Sequence, residues 1–283
     1  VATDVVSITV HSTAMSSITA SPILSAIYIY PIKSCRGIAL TSAQLDAGGF
    51  QFDRNWMIVS PTGRFMTQRD VPQLALVETE IGSDGLQLDA PKQATLHLPL
   101  APVRGTVVEV EVWRDRCQAI DQGDEAAAWL SQFLGIECRL VRMGEGYDRP
   151  VKRRADAQVS FADAYPLLLI SEASLADLNQ RLPNPIPMNR FRPNLVVAGC
   201  DAYAEDRWDQ IRIDEITFDV VTPCERCVIT TTDQATGRRE SKEPLKTLAT
   251  YRRVQGGVIF GQNVIHRQQG KVQVGSAVEV LGA

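Results

Sequence analysis

The chain has 283 residues, 45% hydrophobic and 22% charged, a globular composition long enough for two ordinary domains. A formal net charge of -4 argues against a broad nucleic-acid surface, and no apolar run reaches the length of a membrane span. Six scattered cysteines (Cys35, Cys117, Cys138, Cys200, Cys224, Cys227) do not form a disulfide framework and point to a reducing compartment, the cytoplasm.

Residues 1–21 are rich in Ser and Thr and lack Lys and Arg, unlike a signal peptide; a flexible arm or an extra edge strand is expected. Residues 23–32 are predicted as a strand that ends near Pro31. Lys33-Ser34-Cys35-Arg36-Gly37 follows as a polar turn. A Lys beside a hydroxyl and turn amides suits an oxyanion, but taken alone this turn reads as a solvated one. Asp53-Arg54 precedes a buried strand at 56–59. Pro61-Thr62-Gly63 marks a hairpin, and Phe65-Met66-Thr67 is the expected return strand. Arg54, Arg64 and Arg69 read, one by one, as exposed charges or partners of Asp53 and Asp70.

Short β segments then recur at 74–81, 86–88, 94–98, 107–113 and 117–120, the pattern of a barrel or sandwich. A helix is expected over 125–134, with Ala126, Trp129, Leu130 and Phe133 on one face and Gly135 as its C-terminal cap. A strand follows at 137–143. Residues 144–163 are polar, with Arg149, Lys152, Arg153 and Arg154, and read as a solvated linker. The expected division is an arm at 1–21, a first domain at 22–143, the linker, and a second domain at 164–283.

In the second half, 166–170 is a continuous apolar strand, and Ser171 caps a helix over 172–182 that Pro183, Pro185 and Pro187 end. Arg190-Phe191-Arg192-Pro193-Asn194 leads into a strand at 195–198. Two strands flank Asp214-Glu215, a short helix is expected at 244–251, and strands at 258–265, 272–274 and 277–281 complete the pattern.

Cys224-Glu225-Arg226-Cys227 precedes five β-favouring residues, Val228 to Thr232, so the cysteines are expected in a turn just before a strand. Arg226 is placed to favour the Cys227 thiolate. Spacing alone leaves four readings open. A structural zinc site needs further ligands, and there is no second Cys-x-x-Cys, nor ligand spacing among His11, His97 and His266. A thioredoxin-type pair should open a helix rather than a strand. The cysteines can be buried and inert. Or one thiolate is the single protein ligand to a soft metal held by its own organic cofactor.

Several motifs in register narrow this choice. Tyr30-Pro31-Ile32-Lys33-Ser34-Cys35-Arg36-Gly37, Asp53-Arg54-Asn55-Trp56, Ser171-Glu172-Ala173-Ser174, Phe191-Arg192-Pro193-Asn194, Cys224-Glu225-Arg226-Cys227 and Phe260-Gly261-Gln262-Asn263 occur in order. Together they resemble the MOSC-domain proteins with a MOSC N-terminal β-barrel, and within that group the mitochondrial amidoxime-reducing component and its bacterial relatives. The resemblance implies a mainly β fold with a few helices (α+β), as two β-barrel-like domains packed around a cofactor cleft. It implies a molybdenum–molybdopterin cofactor, with Cys227 as the metal ligand and catalytic residue. Lys33, Ser34 and Arg54 would hold the cofactor phosphate, and Arg192 and Asn194 the pterin, with Arg226 beside the metal thiolate. Asp163, Ala164 and Tyr165 fall where a loop of the second domain meets the pterin, and Gln262 and Asn263 would line the metal side. Cys224 has no implied role and is expected to be buried and structural.

The implied activity is an oxidoreductase that reduces N-hydroxylated compounds: amidoximes, hydroxylamines and N-hydroxylated bases. A cluster-type cysteine run is missing, so the expected electron source is a separate protein, a ferredoxin or a cytochrome b5-like donor with a reductase. The alternative is a molybdenum-cofactor or sulfur carrier without turnover, and a third reading is a β-barrel binding module.

Overall fold

The computed structural model describes residues 21–83, 85–100, 105–144, 146–152 and 154–282. Residues 1–20 of the expected arm, and Arg153, lie outside the described residues. The fold is mostly β, as expected, and its largest sheet has nine strands. Their order is Ile38–Leu40, Ile23–Ile29, Leu195–Ala198, Leu167–Ser171, Gly257–His266, Ile216–Arg226, Gln210–Ile213 and Val278–Gly282, with Arg253–Val254 added on Gly257–His266. Leu167–Ser171 is buried at every position because it is a central strand. It pairs parallel with Leu195–Ala198, pairs antiparallel with Gly257–His266, and is covered by a helix. That helix, Glu172–Arg181, begins where the Ser171 side chain accepts from the Ser174 amide.

The second sheet contains Trp56–Val59, Arg139–Met143, Asp115–Asp121 and Val107–Val112 in that order. Alternation sends Trp56 and Ile58 into one core, beneath the helix Asp124–Leu134, and Met57 and Val59 into another with Val110, Val112 and Phe161. This is why Trp56–Val59 reads as a solid apolar run. Gly135 ends the helix at φ 71°, the left-handed cap its position calls for.

The first strand does not stay with the first half of the chain. Ile23–Ile29 pairs antiparallel with Leu195–Ala198, so the large sheet joins both ends of the sequence. Three local expectations are corrected. Residues 74–81 are not one strand: Pro72 opens a 3-10 turn over Pro72–Leu76, and only Glu78–Ile81 is extended. The expected return at 65–67 reduces to a bridge between Val59 and Phe65. Val228–Thr231 is a 3-10 helix, not a strand. There the Thr230 and Thr231 hydroxyls donate to the Cys227 and Val228 carbonyls, local bonds that compete with a sheet ladder.

The polar segment 144–163 is also not a solvated tether. Pro150–Val151 and Arg154–Gln158 form a hairpin, and Arg149, Val151, Val159 and Phe161 are buried.

Candidate cofactor site

A cavity of about 760 Å³ is lined from both halves of the chain, within the roughly 300–1,000 Å³ of small-molecule sites. Two turns build its first wall. The strand Ile23–Ile29 delivers Tyr30 and Lys33-Ser34, and Asp53-Arg54 enters the strand Trp56–Val59. Backbone bonds tie these turns together: the Lys33 amide donates to the Trp56 carbonyl at 2.8 Å and the Arg54 amide to the Tyr30 carbonyl at 2.8 Å. Ser34, Arg54 and Arg192 have φ of 68°, 51° and 57°, left-handed values that side chains with a Cβ rarely adopt. Such strain, of order 1–3 kcal/mol per residue, persists where the surroundings over-determine it and clusters at binding sites.

Tyr30 organises the cations behind this wall. Its ring lies 4.3 Å from the Arg54 guanidinium carbon and 4.2 Å from that of Arg192, one cation from each half of the chain. Its hydroxyl donates to the Pro193 carbonyl at 2.9 Å, and its amide donates to Asp53 at 2.8 Å. Asp53 pairs with Arg54, which also donates to Asn194 Oδ1 at 2.9 Å. Asn194 in turn donates to the Tyr28 carbonyl at 3.1 Å, so it clamps strands as well as lining the cavity. Arg192 donates to the Cys35 carbonyl at 2.6 Å, and burial pulls its guanidinium down to about 10.

Lys33 is 4% exposed. Its ammonium donates to the Phe161 carbonyl at 2.7 Å and pairs with Asp163. Burial pulls it from its ordinary 10.5 down to about 8, against the opposing charge of Asp163. The Asp163 side chain is half exposed; partial desolvation works against its ionisation, but Lys33 and Arg69 hold its carboxyl well below the usual range. Arg69 donates to Asp163 at 3.3 Å and stacks 4.5 Å from the ring centre of Trp113, whose indole N–H donates to Asp163 at 3.2 Å. Trp113 is 42% exposed and stands on the cavity wall at φ 59°.

Cys224 and Cys227 both line the cavity, the first at the end of the strand Ile216–Arg226 and the second as the cap of the 3-10 helix. Two expectations change here. Arg226 does not serve Cys227: it donates to Cys224 Sγ at 2.9 Å and to the Phe191 carbonyl at 2.6 Å. Cys224 is half-buried on the cavity wall rather than sealed in a core. Arg239 is held by Thr232 Oγ1 and by the Arg69 carbonyl, each at 3.0 Å.

Of the other expected residues, Ser34, Ala164, Tyr165 and Asn263 line the cavity. Gln262 does not: it is 2% exposed and donates to Asp206 at 2.7 Å. The reason is elementary, since neighbours in a strand point to opposite faces and Asn263 holds the cavity side. Sequence reasoning missed Arg149 and Trp113, both of which line the cavity. Arg149 carried the one usable signal, a cation beside Pro150 in a segment that also contains Val151, Val159 and Phe161.

The residues fit an anionic ligand with a soft metal. Lys33, Arg54, Arg69 and Arg149, with Lys152, Arg192 and Arg226, line the cavity against Asp115, Asp163 and Glu225. Arg69 Nη1, Arg192 Nη2 and Arg226 Nε are buried donors without a partner among the described residues. Buried donors are normally satisfied, and a phosphate or a polar ring edge is the acceptor a guanidinium fork suits. The Cys227 thiol supplies a soft ligand in the same cavity.

Comparison with known proteins agrees with this geometry. Residues 21–137 match the MOSC N-terminal beta barrel domain and residues 156–279 the MOSC domain. The mitochondrial amidoxime-reducing component 1 of Mus musculus is 37% identical over 277 residues, covering 90% of this chain and 81% of that protein. The component 1 of Homo sapiens is 35% identical over 277 residues, covering 90% and 82%. A molybdenum cofactor sulfurase of Oryza sativa subsp. japonica is 36% identical over 264 residues, covering 84% of this chain and 32% of that protein. With both domains matched in order and more than a third of its residues shared with the mouse protein, the chain belongs to the MOSC family, in the group with the N-terminal β-barrel that includes the mitochondrial amidoxime-reducing components.

Proposed function

We propose that the protein is a molybdenum-cofactor-dependent oxidoreductase that reduces N-hydroxylated compounds, and that its cofactor is molybdenum–molybdopterin. One observation carries the reading: a single cavity gathers buried guanidinium donors, unpartnered among the described residues, and the thiol of Cys227. The names of the mouse and human relatives support the reaction class. Overall, two electrons and two protons convert N–OH to N–H and water. The bound cofactor supplies that redox chemistry, and the chain supplies binding and orientation.

Lys33, Ser34 and Arg54 hold the phosphate in this reading. Lys33 keeps its proton at neutral pH because its folded value, about 8, still lies above 7. Arg192 and Asn194 take the pterin, Asp163 and Tyr165 border it, and Asn263 faces the cavity beside the cysteines. The Cys227 thiolate is the metal ligand. Lys33 and Arg54 precede residue 143 and Arg192 follows residue 164, so one ligand would bridge the two expected domains. Electrons come from a separate donor protein, a ferredoxin or a cytochrome b5-like protein with its reductase. No helix among the described residues is long and apolar enough to cross a membrane. We place the protein in the cytoplasm; cell fractionation tests this against the mitochondrion named for the mouse and human relatives.

The rice sulfurase favours a second reading, a cofactor or sulfur carrier that uses the same cavity. The test begins with protein from a cofactor-making host. Near-stoichiometric molybdenum and pterin, with benzamidoxime reduction by an artificial reductant, supports the oxidoreductase. Cys227→Ala should abolish reduction while Cys224→Ala keeps most of it; equal activity in wild type and Cys227→Ala sinks the ligand assignment. Metal and pterin without turnover, with sulfur passed to an acceptor, establishes the carrier.

A further inference from the structure

We propose that Arg149 is the positioning residue of the anion cradle: it aims Lys33 at the ligand by stapling the loop 160–163, with four of its five N–H donors engaged by the protein. Arg149 is 4% exposed. Its Nη1 donates to the Ser160 carbonyl at 2.8 Å and to the Ala162 carbonyl at 2.5 Å, and its Nη2 to the Asp163 carbonyl at 2.8 Å. Its Nε donates to Asp115 at 3.0 Å, anchoring the staple on the first strand residue after the Trp113-Arg114 turn. The Arg149 backbone is fixed as well: its amide donates to Gln158 Oε1 at 3.0 Å and its carbonyl accepts from the Val159 amide at 3.0 Å.

The stapled loop holds both partners of Lys33, the Phe161 carbonyl and the Asp163 carboxylate. A lysine ammonium has three donors that rotate freely about its last bond. Two of them taken by one rigid loop leave the third in a defined direction. A lysine at 149 has no fork with which to span three carbonyls, so arginine is the residue the geometry requires. The three carbonyls also explain how a cation is kept buried beside Lys33 and Arg54: carbonyl oxygens and Asp115 offset its charge locally. The segment is rich in cations, but its buried member works inward on the loop backbone.

This inference rests on the cofactor reading, and the experiment separates the two. Pterin release is timed from full-length, cofactor-loaded wild type, Lys33→Met, Arg149→Met and the double variant, with the melting temperature of each recorded. Arg149→Met should speed release about tenfold, the scale of one charge-assisted bond put out of line. If Arg149 acts through Lys33, the double variant releases no faster than Lys33→Met alone. Multiplying effects would show a merely structural arginine and overturn the proposal, as would wild-type retention in Arg149→Met. Should Arg149→Met fail to fold, Arg149→Lys takes its place in the cycle with the same outcomes. If wild type itself retains no pterin, the cofactor reading fails; the same cycle with inorganic phosphate affinity as its readout then decides the role of Arg149.

Discussion

Removing the buried ammonium of Lys33 should change how stability depends on pH, and the size follows from its burial. Lys33 is 4% exposed and titrates at about 8 in the folded protein against an ordinary 10.5. The folded value is the lower one, so between these limits the unfolded chain binds more protons and wild-type stability rises with pH. Below about pH 8 both states are charged, and the full cost of burying the ammonium stands. Integrated from pH 7 to pH 10, the single group is worth about 2.5 kcal/mol. In Lys33→Met this contribution is absent, while the other titrating groups are common to both chains. Urea unfolding of both proteins at pH 7, 8, 9 and 10 isolates it as the change in their stability difference. Wild type should gain about 2.5 kcal/mol on the variant across the series, roughly 1 M in urea midpoint. At pH 7 the variant also loses the bonds to Phe161 and Asp163, so the diagnostic quantity is the change of the stability difference with pH and not its value at pH 7. Parallel profiles from pH 7 to 10 would refute the claim that Lys33 is held charged at a desolvation cost.

Gly261 sits at φ 78°, and a Cβ there would lie 2.6 Å from Ile170 Cγ1 and 2.8 Å from the Leu169 carbonyl. Gly261→Ala should therefore cost at least about 2 kcal/mol, and an unchanged melting temperature would contradict the close approach. Tyr30→Phe removes the donor to the buried Pro193 carbonyl and should cost about 1–2 kcal/mol in denaturant unfolding. The same variant keeps the ring between Arg54 and Arg192, so its pterin content should equal that of wild type; a loss would show that the hydroxyl and not the ring orders these cations.

How far the site was legible differs from residue to residue. Leu167–Ser171 and Trp56–Val59 announce themselves because a strand buried on both faces must be apolar at every position. The Lys33-Ser34, Arg54 and Arg192-Asn194 motifs converge on one cavity, as their resemblance to a known family implied. Gln262 failed for a reason the sequence already held: beside Asn263 in a strand, only one of the two can face the cavity. Val228–Thr231 failed because β propensity is weak where threonine hydroxyls can bond to their own backbone.

The sequence by itself determined the strand-rich fold, the helix bounded by Ser171 and the cysteine pair with Arg226 inside it, because periodicity, capping and residue chemistry act over a few neighbouring positions. Only the tertiary structure decided which thiol Arg226 meets, since it turns to Cys224 and not to the neighbouring Cys227. It also decided that Arg149 is buried. A guanidinium leaves water only when carbonyls and a carboxylate converge on it, and that convergence exists only after Asp115 and the loop 160–163 are folded against each other.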